Sequence, residues 1–374
     1  MGSREIYQIA LSMLPGIGPV SVRNLTEMFG EVDAVFKMKS SHLKRVKGIG
    51  GHFADIILQH RAACIERAEA EMLFMEANGV AHTFIHDDNY PEKLKACADA
   101  PVVLFYIGNF DHVPEKSVAI VGTRKATPRG IDATKELVSG FAENEIEPLI
   151  VSGLAYGIDV AAHKAAMECN LKTWAILGHG FDIIYPAMHR TVADNIIRNE
   201  GCLVSEFPSV AKRDPKHFVR RNRIIAGLSD ATVVVESARK GGAMVTADIA
   251  GSYNRDVFAF PGRVGDSKSK GCNHLIKTNR AALTESVDDV IYIMNWKGKN
   301  KNSDTRQKEI EFNIQFEKNE KIIVDLLKNN EYCDTDLLLK LSGLGISDLS
   351  VALLGLEMKS VIDALPGKIY ALKS

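Results

Sequence analysis

The sequence has few cysteines, no long apolar run and almost no net charge. Its six cysteines are scattered with no C-x-x-C pair, which argues against a zinc site and against a disulfide framework. No apolar run reaches the roughly 18 residues of a membrane span, and no secretory signal opens the chain. We therefore predict a cytoplasmic protein with no membrane partner and no bound metal. The net charge of −1 gives no global sign of nucleic acid, so any polyanion site must come from local clustering.

The fingerprints of the common nucleotide-binding loops are also missing. The first strand-to-helix joint matches neither G-x-G-x-x-G nor G-x-x-x-x-G-K-[ST], so we predict no nucleotide cofactor. The next joint is not a G-x-S-x-G nucleophile elbow, because Val151 precedes Ser152 and there is no glycine before it. These absences remove the usual cofactor and esterase chemistry and leave no catalytic residue predicted.

What the chain does contain is an alternation of apolar runs and helical stretches through its middle. We predict strands at Val118–Val121, Leu149–Ser152, Thr173–Leu177, Cys202–Ser205, Thr232–Glu236 and Val257–Phe260. Runs such as ATVVV and TWAIL lack period-2 alternation, which fits strands covered on both faces. The pattern predicts an α/β domain with a doubly wound, mostly parallel sheet and a ligand site at the carboxyl ends of its strands.

Three of these strands end at glycine-rich joints whose N–H groups and cations suit phosphate. The candidate contacts at the joints are Gly122, Thr123, Arg124, Lys125, Ser152, Gly153, Gly178, Gly180, His189 and Arg190. The first joint and the start of its helix carry three cations, too many for a neutral ligand. Asp159 and His163 stand four residues apart on a helix, as an acid–base pair or, the interpretation we favour, as a cap and a packed histidine.

A cationic cluster, KRDPKHFVRRNR at Lys212–Arg223, is the strongest charge feature. Six cations minus one acid give +5 within a near-neutral chain. The planar guanidinium groups of arginine suit phosphate oxygens, and Asn222 can contact the ligand or brace its neighbours. A later glycine-rich loop places Gly242 near another helix N-terminus. Charge on this scale favours a polyanion over a single small phosphate.

The flanking segments predict two smaller domains. Leu14–Phe29 and Val46–His60 each carry an apolar-x-Gly-Ile-Gly turn, which predicts a helical helix-hairpin-helix (SAM-like) domain used either for DNA phosphates or purely for packing. The C-terminal pattern predicts a winged helix; its helix near Ser347–Lys359 has more acids than bases, so we favour protein contact or a tethered cap over base readout. The predicted division is 1–78, 79–296, a linker at 297–313, and 314–374.

In chain order, VGTRKATPRG, SGLAYGIDVAAHKAA, LGHGFDIIYP, SEFP, FVRRNRIIAGLSDATVVVESARKGGAMVTADIA and FAFPG resemble the DprA/Smf family of DNA-processing proteins. The resemblance covers essentially the whole central domain. It implies an extended Rossmann-like core that forms a homodimer and binds single-stranded DNA in a basic pocket. It also implies a binding protein rather than an enzyme, which protects incoming strands during natural transformation. The implied protein partners are a RecA-type recombinase and a single-strand-binding protein.

The family's motifs map onto particular residues of this chain. Its G-[ST]-R element is Gly122-Thr123-Arg124, its S-G-x-A-x-G-I-D element is Ser152–Asp159, and its R-N-R element is Arg221-Asn222-Arg223. We expect Arg124 to be the main pocket cation and Phe181 or a neighbour to stack on a base. The chain departs from the family in two places, because His189 stands where many members have Asn and Gly241–Met244 replaces a S-G-[ST]-[LM] turn. Both changes remove a small polar donor.

Two other functions remain open from the sequence. One is a nucleotide-phosphate glycosidic hydrolase on a similar core, using Glu206, Asp159 or His163, although the Pro-Gly-Gly-rich motif with a paired glutamate is missing. The other is a scaffold protein whose phosphate pocket is vestigial.

Overall fold

The computed structural model describes nine stretches of the 374-residue chain: 3–16, 18–45, 51–110, 113–211, 214–298, 316–329, 333–359, 361–365 and 369–372. They fall into two compact units, Met1–Asn300 and Lys301–Ser374. Several sequence predictions lie wholly or partly outside the described residues. Among them are the two Gly-Ile-Gly turns (Ile17 of the first and 46–50 of the second), Lys212 with Arg213, most of the linker and parts of 314–374.

Within the described residues, nine strands of the first unit form one sheet. They are β1 (Ala81–Phe84), β2 (Val103–Gly108), β3 (Ser117–Val121), β4 (Leu149–Ser152), β5 (Thr173–Leu177), β6 (Cys202–Ser205), β7 (Ala231–Val234), β8 (Asp256–Ala259) and β9 (Ala282–Leu283). Their order is β1-β2-β6-β5-β4-β3-β7-β8-β9. Strands β3 to β9 pair in parallel, and β1 and β2 add an antiparallel extension at β6. The predicted mostly parallel α/β sheet is confirmed.

Helices cover both faces of this sheet. They are α1 (Ser3–Ser12), α2 (Pro19–Phe29), α3 (Val32–Lys37), α4 (Ser40–Leu43), α5 (Gly51–Asn78), α6 (Glu92–Lys95), α7 (Pro128–Glu143), α8 (Ile158–Glu168), α9 (Arg190–Arg198), α10 (Pro215–Leu228), α11 (Gly242–Ser252), α12 (Lys270–Lys277) and α13 (Val287–Ile293). Strand β3 shows why its run is continuously apolar. Val118 and Ile120 pack in one core with Phe141 of α7, while Ala119 and Val121 pack in the other with Ile225 of α10.

The N-terminal helices pack onto the same unit through a shared core and through buried polar contacts. Glu71 of α5 is buried, and its carboxylate accepts hydrogen bonds from the backbone N–H (2.8 Å) and hydroxyl (2.6 Å) of Ser209. Arg23 of α2 donates to the carbonyl of Lys95 at 2.6 Å. The loop after β6, which leads to α10, is therefore held against α5.

The second unit has its own small core. Its elements are α14 (Lys318–Asn329), β10 (Cys333–Asp334), α15 (Thr335–Ser342), α16 (Ile346–Met358), β11 (Ile362–Leu365) and β12 (Ile369–Leu372), with an antiparallel sheet in the order β10-β12-β11. Ile323, Leu338, Leu349 and Leu356 lie at its centre. In the described stretches no single helix is long and apolar enough to cross a membrane. Only the pair α15 and α16, bent by 112°, passes that test by length and composition.

Candidate nucleic-acid interface

A basic cleft of about 350 Å³ opens at the carboxyl ends of β3, β4 and β7. Strand β4 lies on one side of β3 and β7 on the other, so the chain reverses its direction of travel across the sheet here. Such switch points are where open α/β sheets bind ligands. The sequence-predicted residues that line the cleft are Gly122, Thr123, Arg124, Arg221, Asn222 and Gly242. Its other lining residues include Phe218, Asp159, Ser237 and Lys240.

Arg124 is one of two exposed cations that line the cleft, the other being Lys240. Its guanidinium lies over the ring of Phe218, with the central carbon 5.7 Å from the ring centroid. Among the described residues no carboxylate forms an ion pair with it. The loop below it is fixed, because Thr123 N–H donates to the carbonyl of Glu236 at 2.7 Å. Arg124 is therefore positioned by its backbone and its ring partner while its charge stays available to a ligand.

Two glycines allow the loops of this cleft to approach so closely. Gly157 has φ +78°, and a Cβ added there would collide with the carbonyl oxygen of Thr123. A Cβ at Gly122 would collide with the side chain of Ile158, the first residue of α8. Gly122, which the sequence predicts as a phosphate contact, and Gly157 thus allow the ends of β3 and β4 to come into direct contact.

Arg221, which the sequence places in a cationic cluster suited to phosphate, is buried. Its Nη1 donates to the carbonyl of Gly153 at 2.7 Å and to the carbonyl of Ile176, and it lies beside the buried Asp159. Burial lowers the pKa of Arg221 to about 10, so the side chain stays protonated at neutral pH. Arg221 joins the carboxyl ends of β4 and β5 and lends the floor of the cleft a positive charge.

Arg223 is also buried and does not line the cleft. Its guanidinium is held by the carboxylate of Glu206 and the carbonyl of Asp99. Arg220, on the outer side of α10, pairs with the same carboxylate at 2.8 Å. The side chains of the R-N-R element thus point in different directions, and the charge of Arg223 is neutralised inside the protein.

Several other predicted contacts are occupied within the fold. The hydroxyl of Ser152 donates to the carbonyl of Ile120 at 2.6 Å, and His189 hydrogen-bonds through Nδ1 to the carbonyl of Leu154 at 2.8 Å. Phe181 is half-buried and packs against two hydrophobic clusters. These side chains are directed inward because the strand ends they follow are themselves buried.

The remaining predicted residues lie around the cleft. Asn222 donates to the carbonyl of Gly242 at 3.3 Å and so braces the start of α11. Lys125 and Arg190 are exposed but outside the cleft lining. Gly180 lies against the backbone of Pro208, where a Cβ would not fit.

A second, smaller cleft of about 250 Å³ adjoins the first. It is lined by Gly178, His179, Ile183, Tyr185, Asp214, Pro215 and Phe218. Phe218 and Pro215 line both clefts, so the Phe218 ring stands between them. The rings of Tyr185 and Phe218 are 5.6 Å apart, and Tyr185 is exposed. The two clefts together present a cation and two aromatic faces.

Phe218 is the side chain that sequence reasoning missed. Its signal lies in the helical period, because Phe218, Arg221, Asn222 and Ile225 follow the i, i+3, i+4, i+7 spacing of one face of α10, and all four line the cleft. Reading KHFVRRNR as a charge cluster alone hides that spacing.

The side chains considered for hydrolysis are engaged elsewhere. His163 is fully buried, its Nδ1 lies 2.7 Å from the hydroxyl of Thr173, and burial lowers its pKa to about 3. No hydrogen bond joins it to Asp159 in the described part of the chain. The carboxylate of Glu206 is held by two arginines. This geometry matches the packing interpretation of His163 that the sequence favoured, whereas Asp159 lines the cleft and Gly157 is the N-cap of α8.

The topology and the cleft define an α/β protein of Rossmann-like type with a basic site at its switch point. The chain belongs to the DNA recombination-mediator protein A family, whose model matches residues 81–295. The resemblance to DprA/Smf proteins is thereby confirmed.

Two named relatives support the same family. The DNA processing protein DprA of Streptococcus pneumoniae is 41% identical over 204 residues, 54% of this chain and 71% of that protein. Protein Smf of Synechocystis is 35% identical over 280 residues, 73% of this chain and 69% of its own length.

Two solved structures share the fold. That of S. pneumoniae DprA has a TM-score of 0.63 at 34% identity, covering 77% of this chain and 97% of that one. DNA processing protein A of Helicobacter pylori, solved to describe its single-stranded DNA binding mode, has a TM-score of 0.51 at 28% identity. It covers 58% of this chain and 95% of that one.

Proposed function

We propose that this protein binds single-stranded DNA, protects incoming strands and loads a RecA-type recombinase onto them during natural transformation. The observation that carries the binding proposal is the pairing of an exposed cation with an aromatic ring, Arg124 over Phe218, in an open basic cleft. The binding mode named for the H. pylori relative supports the same ligand.

The cleft suits a strand whose bases are unstacked. Arg124 and Lys240 are exposed cations for phosphate oxygens, and the buried Arg221 adds charge from below. Phe218 and Tyr185 offer faces on which an unpaired base can stack. Stacking and phosphate contacts are available to any base, so we expect little sequence preference. A duplex holds its bases inside the stack and cannot use the aromatic faces.

The flanking regions and assembly belong to the same proposal. The element order of the second unit, α14-β10-α15-α16-β11-β12, supports a winged helix at 314–374, and the short helices before α5 support a helix-hairpin-helix domain at 1–78. We propose that the protein acts as a homodimer and as a binding protein rather than an enzyme. Its protein partners are the recombinase and a single-strand-binding protein, in line with the family.

The test compares single-stranded and duplex oligonucleotides of about 20 nucleotides, above the 4–16 that a typical single-strand fold covers, across a salt series. We expect tighter binding of the single strand and a steep fall of affinity with salt. Arg124→Ala should weaken single-strand binding at least tenfold. Arg198→Ala, which removes another exposed arginine at the end of α9, is the matched control. Equal affinity for both DNA forms, or full affinity in Arg124→Ala, contradicts the proposal.

Recombinase loading needs a separate assay. Filament assembly on strands pre-coated with single-strand-binding protein should be faster with this protein than without it, and slower with the Arg124→Ala variant. Unchanged assembly, with DNA binding intact, removes the loading function and leaves the binding function standing.

A further inference from the structure

Three neighbouring loops at the carboxyl edge of the sheet carry an array of exposed cations that extends beyond the cleft. They follow β3, β7 and β8 and lead into α7, α11 and α12. The cations on or directly after these loops are Arg124, Lys125, Arg239, Lys240, Arg263, Lys268 and Lys270. All are exposed except Lys268, which is half-exposed. The cleft uses only Arg124 and Lys240 of this set.

The three loops are joined edge to edge by backbone hydrogen bonds. Thr123 N–H in the β3 loop donates to the carbonyl of Glu236 in the β7 loop at 2.7 Å. Gly271 N–H, at the start of α12, donates to the carbonyl of Ser237 at 2.8 Å. A Cβ at Gly271 would press against that same carbonyl, so α12 begins directly on the β7 loop. The cations therefore stand on one continuous surface.

The two carboxylates on these loops do not neutralise the cations. Glu236 is buried and accepts hydrogen bonds from the backbone and hydroxyl of Thr127, which caps α7. Asp266 accepts from the backbone N–H of Lys268 at 3.0 Å and from the hydroxyl of Ser269. No ion pair involves any of the seven cations in the part of the chain that the structure describes.

The opposite edge of the sheet shows that this charge is local. A surface pocket at the amino ends of the strands is lined by three acids, Glu115, Glu145 and Glu147, and by three bases, Lys116, Lys172 and Lys297. A soluble protein surface of mixed sign is the ordinary case. The three loops at the carboxyl edge carry seven cations and two acids, although Arg263 also lines a pocket with Asp132, Glu136 and Glu285 of neighbouring segments.

From this arrangement we infer that the β8–α12 loop is a second phosphate-binding segment. A polynucleotide strand held at Arg124 continues across Lys240 and reaches Arg263, Lys268 and Lys270. The inference rests on the proposed function, since it assigns a binding segment to a further stretch of the same DNA strand. Short strands occupy the cleft alone, and longer strands also engage the β8–α12 loop. Neither the cleft lining nor the family's motifs as they stand in this chain include these three cations.

The test measures affinity of the full chain for oligo(dT) of about 5 and about 20 nucleotides, near the lower limit and above the upper limit of typical single-strand sites. The variant Arg263→Ala/Lys268→Ala/Lys270→Ala should bind the long probe at least tenfold more weakly. Its slope of log affinity against log salt should fall by about 2, because each single-strand phosphate contact contributes about 0.7. Binding of the short probe should not change. Lys116→Ala/Lys172→Ala/Lys297→Ala removes the same charge from the opposite edge and should leave both probes unaffected.

The outcomes separate this inference from the proposed function. A triple variant that keeps the long-probe affinity and slope, while Arg124→Ala loses both, overturns the second segment and leaves the cleft intact. Equal weakening for both probes also overturns it, since the loop would then act on the cleft itself. Full affinity in both variants overturns the proposed function together with the inference. Charge reversal at one position, Lys268→Glu, repeats the test with a single substitution on an exposed loop.

Discussion

The guanidinium of Arg124 lies over the face of Phe218, 5.7 Å from the ring centroid. One residue comes from the loop after β3 and the other from the first turns of α10, so the pair exists only in the folded chain. The ring holds the cation by its negative face and still offers its other side to the second cleft. A phosphate and a neighbouring base can therefore be bound by one pair of side chains.

Replacing the ring should weaken single-strand binding with little effect on stability. Stacking one base on an aromatic side chain contributes about 1–3 kcal/mol. We expect Phe218→Leu to lower affinity by roughly 5- to 150-fold on that scale, as measured by fluorescence anisotropy. Phe181→Leu is the control, because Phe181 packs into the core and should change the melting temperature instead. The opposite result would return the stacking role to Phe181, as the sequence predicts.

Removing the buried arginine should destabilise the fold. Arg221→Met removes the hydrogen bonds to the carbonyls of Gly153 and Ile176 and leaves the carboxyl group of Asp159 buried without the cation beside it, and each buried polar group left unsatisfied typically costs about 1–3 kcal/mol. Chemical denaturation should show this loss, and Arg221→Met/Asp159→Asn should recover part of it. Arg124→Met, at an exposed position of the same cleft, should leave the free energy of unfolding nearly unchanged. If both single variants are equally stable, Arg221 is not the structural tie described above.

Acid should destabilise the protein partly through His163. Burial lowers its pKa to about 3 from an unfolded value near 6.5, so its contribution is complete above pH 6.5 and is lost as the pH falls towards 3. At pH 5 this single group should cost about 2 kcal/mol relative to pH 7.5. His163→Asn keeps an N–H donor for Thr173 and removes the titration. Its free energy of unfolding should fall less between these pH values than that of the wild type; parallel curves would rule the group out.

Gly157, which lies where the ends of β3 and β4 meet, should not tolerate a larger residue. Gly157→Ala adds a Cβ at φ +78° and drives it into the carbonyl of Thr123, so we expect lower stability and weaker DNA binding together. Gly79→Ala is the matched control, with φ +64° but open space around it, and should show only the backbone strain of about 1–2 kcal/mol. Equal effects of the two variants on DNA binding would contradict the close contact of the loops.

The sequence by itself determined the strands and the glycine-rich joints that follow them, because both depend on local chemistry. Apolar runs with no alternation form strands buried on both faces, and the predicted strands agree with β3 to β8 within two residues. Gly122 and Gly157 lie at strand ends where a Cβ would collide with a neighbouring segment. Their glycine identity in the sequence already indicates this, since only glycine tolerates such close contact. The family motifs in the chain led to the family that the comparison confirmed.

The tertiary structure decided which charges and rings remain free for a ligand. Arg220, Arg221 and Arg223 lie within four residues of one another, yet Arg220 is exposed and the other two are buried, because these positions of α10 face different surroundings. Phe181 and Phe218 both lie near predicted contacts and both are half-buried, and only the packing of strand ends and helices sets Phe181 against hydrophobic clusters and Phe218 at the cleft. Exposure depends on what the rest of the chain places around a side chain, and neighbours distant in sequence set it.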